Sequence, residues 1–599
     1  MNKLSLWKFQ LIRQTGQLSR LSVQRVVKRM VISLVSCLCF IVSSFAQDPV
    51  QYGTPFNNVP DARDAVIYQV NMRAFSPSGH FQHVTNRLDN IKALGVNVIY
   101  LMPIYPVGQV NSVNSPYSIT DYKGIASEFG SLTDLRNLVD GAHNRGMAVI
   151  LDFVPNHTAW DHPWVSNNWY WHSRDNNGEP ISPNGWADVV QLNFDNWDMK
   201  QALIDAMRYW VFAANVDGFR FDYADSPTVE FWDQAISSLR SINSHNLLLL
   251  AEGARSENYT SGFDYNFGFH FFERLKGVFN GESAQQIDSG HASDYNGANQ
   301  NQRIVRYTTN HDVNGAEGTP QAVFGGDAAA MSAFVIATYM QATPMIYNGQ
   351  EVGLPYSLNF PFTNEDIDWS LNPGKTAQYT DIINLFNNNN ALRRGSLETF
   401  SSNEVVAFTR TTGSERVFVL ANTRGYDVNY TLPGAVANLT WQDGFSNGNV
   451  YLANNYTVPA YSYRVFKRSE MHYFIKNRWQ NAYVYDAGDY AGYQNHTANL
   501  NAHWLREAVD GNAFEYRNVA TGEYLHLENL TGTVQASSRV AGWYSSRWQE
   551  TDVGDGYVTL KNLWQTNDYV HIQNLNGYAQ YGNADPSWWS SQWLIQPAN

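Results

Sequence analysis

The sequence predicts a multidomain chain: an α/β (β/α)8 barrel with a short insertion after its third strand, then an antiparallel β-sandwich, then a C-terminal β-trefoil. Three observations predict it. Buried apolar runs recur about every 30 residues over 60–390, the spacing of strand-plus-helix units. After residue 391 the pattern changes to alternation of apolar and polar residues. Residues 472–599 repeat three times. At 599 residues the chain is also too long for one ordinary domain.

Residues 1–46 read as a secretion signal. Residues 1–29 are basic, and Val31 to Phe45 is an apolar run of fifteen residues, too short to span a bilayer. Ser44-Phe45-Ala46 places small residues at −3 and −1 of a cut before Gln47. This implies a secreted or periplasmic protein. The second reading is a cell-surface lipoprotein, because Leu34-Val35-Ser36-Cys37 resembles a lipidation site; a retained membrane anchor is a third. Both cysteines, Cys37 and Cys39, fall in this segment, so the mature chain has none and makes no disulfide.

The barrel is expected over 47–390. Ala65–Val70, Val96–Leu101, Met147–Phe153, Gly218–Asp222, Leu247–Glu252, Ile304–Thr309 and Met345–Tyr347 read as parallel strands buried on both faces, with helical patterns such as Leu132–Asn144 and Gln201–Ala213 between them. Spacing decides the architecture. Asp222 to Glu252 is 30 residues, one unit, and Glu252 to Asp312 is 60, two units. Asp152 to Asp222 is 70, one unit plus a surplus that predicts a small excursion over 158–195. A doubly wound open sheet wants a Gly-rich phosphate turn after strand one, and Tyr68-Gln69-Val70-Asn71 is not one.

The sandwich is expected over 391–468, where Val405–Thr409, Arg416–Leu420 and Tyr463–Phe466 alternate as antiparallel strands do. In 472–599 the three copies open with Ile475-Lys476-Asn477, Tyr516-Arg517-Asn518 and Leu560-Lys561-Asn562. They close with Ala502-His503-Trp504, Ser546-Arg547-Trp548 and Ser591-Gln592-Trp593. Three copies of four short strands make a trefoil that resembles the ricin-B-type carbohydrate-binding fold, which implies polysaccharide as its ligand. That family closes each repeat with Gln-x-Trp; here Ala, Ser and Ser stand at the first position.

Composition narrows the partner. Charged residues are only 16 % and aromatic residues 14 %, which suits a neutral ligand with flat faces, such as sugar. The net charge is −14, and the first 46 residues carry only basic charges, so the rest is more acidic still. A phosphate backbone would be repelled, which excludes nucleic acid, and no membrane partner is expected once the signal is removed.

Chemistry is expected where barrel strands end. Strand three ends Asp152-Phe-Val-Pro-Asn156-His157, strand four ends in Arg220 and Asp222, strand five in Glu252, and strand seven in Asn310-His311-Asp312. Paired carboxylates in one mouth are the equipment for breaking a glycosidic bond, one ionised and one protonated. Arg220 lies two residues before Asp222, on the same face, where its guanidinium is expected to hold Asp222 ionised. Glu252 follows an apolar run, and burial is expected to raise its pKa and make it the proton donor. Any one of these acids alone reads as a structural salt bridge or a cap. No His-x-x-x-His or cysteine pair supports a transition metal, so the identity of any metal ligand stays unknown.

Taken in order, DFVPNH (152–157), GFRFD (218–222), AEG (251–253) and NHD (310–312) resemble the four motifs of the α-amylase family, glycoside hydrolase family thirteen. Residues 344–351 resemble its eighth-strand segment, and Ser115-Pro116-Tyr117 its aromatic position before strand three. The resemblance covers about 60–467 and implies a retaining enzyme acting on α-1,4-glucan, starch-like polysaccharide or oligosaccharide. It implies Asp222 as nucleophile, Glu252 as acid and base, and Asp312 as stabiliser of the distorted ring. It implies that Arg220 orients Asp222, that His157 and His311 hydrogen-bond the sugar, and that Tyr117 stacks on it. The chemistry requires no cofactor.

Two departures qualify it. Many α-amylases carry Lys-His three and four residues after the nucleophile, where this chain has Asp225 and Ser226. That, with the short insertion, leaves only weak support for the structural calcium that is common in the family. Exo-acting α-glucosidases carry Asp directly after the Tyr117 equivalent, where this chain has Ser118, which favours endo action. The alternatives are an α-glucan transglycosylase or cyclomaltodextrinase-like enzyme using the same intermediate, and, in another class, a non-catalytic carbohydrate-binding protein.

Overall fold

A computed structural model describes residues 48–598 apart from 364, 365 and 498. The expected signal segment, with Cys37 and Cys39, lies outside the described residues. No helix among the described residues is long and apolar enough to cross a membrane.

Eight parallel strands close into a barrel: β1 (Ile67–Val70), β2 (Val98–Leu101), β3 (Ala148–Phe153), β4 (Gly218–Phe221), β5 (Leu248–Ala251), β6 (Tyr265–Phe267), β7 (Arg303–Arg306) and β8 (Thr343–Tyr347). Each pairs with its neighbours in chain order, and β8 returns to β1 with Ile67 opposite Met345. The strands are apolar runs because both faces are covered, one by the barrel interior and one by the helices. β2 and β3 are buried at every residue. The sixth strand, which spacing demanded but no run located, is the three-residue β6.

The helices follow the same logic. In the helix Leu132–His143, Leu135, Leu138, Val139 and Ala142 form the buried stripe. Its start is a capping box: Asp134 N–H donates to Ser131 Oγ and Ser131 N–H donates to the Asp134 carboxylate. Between β3 and the helix Trp197–Ala214 the chain makes an excursion, held by an antiparallel ribbon of His157–Ala159 with Val189–Gln191.

A six-stranded antiparallel sheet follows, built on β9 (Ser396–Thr399), β10 (Val405–Thr412) and β11 (Glu415–Asn422), with a separate two-stranded ribbon of Val428–Thr431 and Asn455–Val458. One face of this sheet joins the barrel core: Val406, Phe408, Val417, Val419, Ala421 and Val465 belong to the same apolar cluster as the barrel. The other face builds a second core around Trp441. Buried Arg410 locks the join, donating to the carbonyls of Tyr339, at the end of the helix Asp327–Tyr339, and of Gly395.

Residues 472–598, as far as they are described, form an all-β region with its own core. Six strands, β12 (His472–Asn477), β13 (Trp504–Asp510), β14 (Ala513–Asn518), β15 (Trp548–Gly554), β16 (Tyr557–Asn562) and β17 (Gln592–Pro597), pair in sequence, and β17 pairs back onto β12 to close a ring. Three hairpins stand outside the ring: 483–494, 524–537 and 569–582. The repeat is visible atom by atom. The closing tryptophans Trp504, Trp548 and Trp593 are fully buried, and their indole N–H groups donate to the carbonyls of Val484, Leu525 and Val570 at 3.0, 2.9 and 2.9 Å. The opening asparagines Asn477, Asn518 and Asn562 donate to the carbonyls of Ser590, Asn501 and Ser545, each three residues before a closing tryptophan.

One glycine is required by the barrel wall. Gly218 opens β4 at φ +144°, and a Cβ there would sit 1.9 Å from the carbonyl oxygen of Leu248 on β5. Both the backbone conformation and the space exclude a side chain. Gly218→Ala is expected to destabilise the fold by about 3 kcal/mol or more, read as a lower urea midpoint; an unchanged midpoint would contradict this account of the β4–β5 contact.

Candidate active site

Strand register brings the acids together. Asp152 on β3 lies directly opposite Arg220 on β4, and both side chains enter the barrel mouth. Arg220 is completely buried. One of its terminal nitrogens, NH1, donates to Asp152 Oδ1 at 2.8 Å and to Asp222 Oδ1 at 3.0 Å. The other, NH2, lies 2.5 Å from Glu252 Oε1, just past the end of β5. Asp222 and Glu252 therefore grip the same planar guanidinium through its two ends, which holds their carboxyl groups a few ångströms apart.

Asp312 arrives differently. Asn310 caps the helix His311–Ala316, its side-chain oxygen accepting from the N–H groups of Asp312 and Val313. The cap turns His311 inward and leaves 64 % of the Asp312 side chain accessible. Each residue of the NHD motif thus has a separate physical task. His311 stacks on Tyr117, with ring centroids 5.5 Å apart, and its Nδ1 and Nε2 are hydrogen-bonded to the Gln69 amide at 2.8 Å and the Tyr117 hydroxyl at 2.7 Å. Both ring nitrogens are occupied, so a sugar hydroxyl would have to displace Tyr117 to reach Nε2. The Tyr117 hydroxyl also donates to Asp152 Oδ2, as does that of Tyr100.

These groups face a cavity of about 610 Å³ lined by Tyr117, His157, Asp222, Glu252, His311 and Asp312. Arg220 lies beneath its floor. Several lining residues were not singled out from the sequence. Trp186, on the excursion, covers His157 edge-on at 5.7 Å and Tyr223 at 5.4 Å. Tyr223 follows Asp222 at φ +47°, a left-handed conformation costly for a bulky residue, and its N–H donates to Glu252 Oε2 at 2.8 Å. The strained turn thus aims a donor at the neighbouring acid. Asp152 carried a signal, a lone acid in the apolar run AVILDF. Trp186 and Tyr223 carried none, since tertiary packing alone brings them to the cleft.

The electrostatics differ from the simple pair expected. Arg220 is shared among three carboxylates rather than reserved for Asp222. Burial raises the Asp222 carboxyl well above the ordinary carboxylate range; Arg220 opposes this, while Glu252 and Asp152 add to it. Burial raises Asp152 as well. Arg220 therefore does not by itself hold Asp222 ionised. One cation thus faces three carboxylates, two of them buried, which is why its stabilising effect on any one of them is diluted. Glu252, expected to be buried behind its apolar run, is partly exposed, and its carboxylate faces a guanidinium and a backbone N–H. Burial lowers His157 and His311 to about 4, so both rings are neutral near pH 7.

The loop after β4 does not fit the family's calcium. Arg255 donates to the carbonyls of Ala224, Asp225 and Pro227 at 3.2, 3.2 and 3.0 Å, so a guanidinium already holds this loop. Asp225, where a lysine is common in the family, accepts from Ala254 N–H and from the Asn258 amide. Gly253 makes room for it, since a Cβ there would lie 2.2 Å from Asp225 Oδ1. Asn156 Oδ1 is buried without a partner, but one neutral oxygen is far from the six to eight oxygens of a calcium site. Among the described residues no three His, Cys, Asp or Glu side chains gather closely enough to hold a metal.

The cleft wall carries a testable pH signature. His172 bonds Thr158 Oγ1 from the excursion, and burial lowers it from 6.5 to about 4. Below pH 6.5 the unfolded chain protonates this ring and the folded chain does not, so its contribution to stability is lost as pH falls towards 4. Relative to His172→Gln, the parent chain should lose about 2 kcal/mol between pH 6.5 and 5, measured by urea denaturation at each pH. A gap that stays constant would show that the ring is not held neutral.

A family model described as the alpha amylase catalytic domain matches residues 52–189 and 166–395, more than half of the chain. Alpha-amylase MalA of Haloarcula japonica is 28 % identical over 396 residues, covering 61 % of this chain and 56 % of that protein, so the chain spans little more than half the length of this relative. Alpha-amylase 3 of Dictyoglomus thermophilum is 26 % identical over 358 residues, 52 % of this chain and 69 % of that protein. Probable oligo-1,6-glucosidase 2 of Bacillus subtilis is 32 % identical over 197 residues, 27 % of this chain and 34 % of that protein. Among solved structures, an alpha-amylase from Lactobacillus plantarum superposes with a TM-score of 0.61 at 26 % identity, covering 68 % of this chain and 99 % of that one. The barrel, the acids at its mouth and these matches agree: the chain belongs to the α-amylase family of glycoside hydrolases.

Proposed function

We propose that this chain is an exported, retaining α-glycoside hydrolase that cleaves α-1,4-glucosidic bonds within starch-like glucans. One observation carries the reading: a single buried guanidinium joins Asp222 to Glu252 beneath an open cavity whose wall presents Asp312. In the first step Asp222, ionised, attacks C1 while Glu252 gives its proton to the departing glycosidic oxygen. The C1–O bond breaks and a glycosyl ester forms on Asp222. In the second step Glu252 takes a proton from water, the hydroxyl bonds to C1, and Asp222 leaves. Two inversions give net retention. Asp312 accepts from ring hydroxyls as the sugar flattens, and the exposed face of Tyr117 supports the ring.

Endo action is supported by Ser118, which is buried and donates to the carbonyl of Asp188, so no carboxylate at that position grips a chain end. Exo action is the second reading, favoured by the match to a probable oligo-1,6-glucosidase. The division into a signal over 1–46, a catalytic barrel over 47–390 and a sandwich over 391–468 belongs to this proposal. So does the reading of 472–599 as a β-trefoil that holds the enzyme to polysaccharide, which the six-stranded ring and three outer hairpins support. The proposed hydrolysis uses no metal.

Asp222→Asn should lower kcat on soluble starch by at least about 10³-fold, and proton NMR of fresh parent-enzyme digests should show the α-anomer first. Full activity in the variant, or the β-anomer first, would reject the assignment. Long intermediate dextrins early in amylose digestion would mark endo action, and glucose alone exo action. Because Arg255 holds the loop after β4, EDTA should leave activity and the thermal midpoint unchanged, while Arg255→Ala lowers both; a chelator-sensitive midpoint would restore a metal to the account.

A further inference from the structure

Five of the eight exposed tryptophans among the described residues lie in the C-terminal region, where a polar surface of low charge would be cheaper to solvate. Their positions follow the threefold repeat. Two residues after opening asparagine Asn477 stands Trp479; five and four residues before closing tryptophan Trp593 stand Trp588 and Trp589. Asn477 donates to the carbonyls of Ser590 and Gln592, so these two segments are neighbours across the ring. The same places elsewhere hold Trp564 with Trp543 and Tyr544, joined by Asn562 donating to Ser545. At the third place stand Ala520, Asn499 and Leu500. Two of three equivalent corners therefore carry an aromatic triad, and one has none.

The six rings are 43–57 % accessible, and none of them packs against the region's core. Trp479, Trp588 and Trp589 line one open cavity of about 450 Å³ with Gln573, Ser587 and Ser590. No ionised side chain lines it. One ring in each triad is steadied by a guanidinium, Arg478 lying 5.0 Å from the Trp589 centroid and Arg547 4.7 Å from that of Tyr544. Flat apolar faces beside neutral hydrogen-bonding groups fit the alternating C–H faces and hydroxyl edges of pyranose rings. Two aromatic triads at equivalent corners of one small region fit a ligand that itself repeats.

We propose that these two triads are separate binding platforms for a neutral glucan chain, which they engage together. This rests on the reading of the C-terminal region as polysaccharide-binding and gives it residues. Two weak contacts to one polymer multiply, so loss of either costs much of the affinity. Leu500 and Ala520 leave the third corner without a stacking face.

The test is affinity electrophoresis of the full chain in native gels containing soluble starch, dextran or xylan. Starch should retard the parent protein. Trp588→Ala with Trp589→Ala, and Trp543→Ala with Tyr544→Ala, should each weaken apparent binding about tenfold, and all four together about a hundredfold. Trp588→Tyr with Trp589→Tyr should retain it, since a stacking face remains. Thermal midpoints and hydrolysis of maltotriose, too short to bridge cleft and platform, should be unchanged. Retardation by dextran alone would keep the platforms for a glucan of another linkage, whereas retardation by xylan alone would overturn the proposal. Equal retardation of parent and fourfold variant, no retardation by any polymer, or a dimer that the four substitutions dissociate in sedimentation velocity would overturn the proposal. Failure of the catalytic reading is separable: an Asp222→Asn chain that still cleaves starch, yet loses retardation with the aromatic substitutions, would leave the platforms standing.

Discussion

The shared guanidinium of Arg220 is the constraint on which the catalytic end of this molecule depends. A fully buried cation needs anions, and anions held out of water need the cation. Asp152, Asp222 and Glu252 come from three adjacent strands, and only the closed parallel barrel brings those strand ends to one point. Removing the arginine would leave mutually repelling buried carboxylates; removing one acid would shift the proton balance of the rest. Structure and chemistry are thus joined in one ionic cluster, with Tyr100 and Tyr117 both satisfying the one oxygen of Asp152 that the guanidinium does not reach.

Around this cluster the fold supplies position by cheap local means. A cap from Asn310 aims Asp312, a glycine at 218 lets β4 meet β5, and a left-handed turn at Tyr223 delivers an N–H to Glu252. The loop that bears Asp225 is pinned by Arg255. These are short-range devices, each involving a few atoms, but they act on groups that a long-range topology has already assembled.

Much of this was legible in the sequence, and the exceptions are instructive. Long buried strands such as AVILDF announce themselves because two covered faces demand continuous apolar residues. β6 did not, because three residues show no period; only the spacing between Glu252 and Asp312 required it. The acids were legible because polar strand ends recurred in order at barrel spacing, although any one of them alone reads as a salt bridge or a cap. The charge balance was not, since the sharing of Arg220 depends on register between strands 68 residues apart in sequence. Trp186 reaches the cleft by the folding of an irregular excursion, which has no periodicity to read. The repeated asparagines and tryptophans of the C-terminal ring were visible as a pattern, but their partners, and the exposure of the rings beside them, appear only in three dimensions.

The apolar cluster that runs without a break from the barrel into the first face of the β9–β11 sheet has a consequence for inheritance. Severing the chain near residue 395 would take Val406, Phe408, Val417, Val419, Ala421 and Val465 out of that core, so the barrel cannot be inherited intact without the sheet. The C-terminal ring seals its own interior around three tryptophans. Its apolar cluster shares no buried residue with that of the barrel and sheet, so a cut before it would open neither interior.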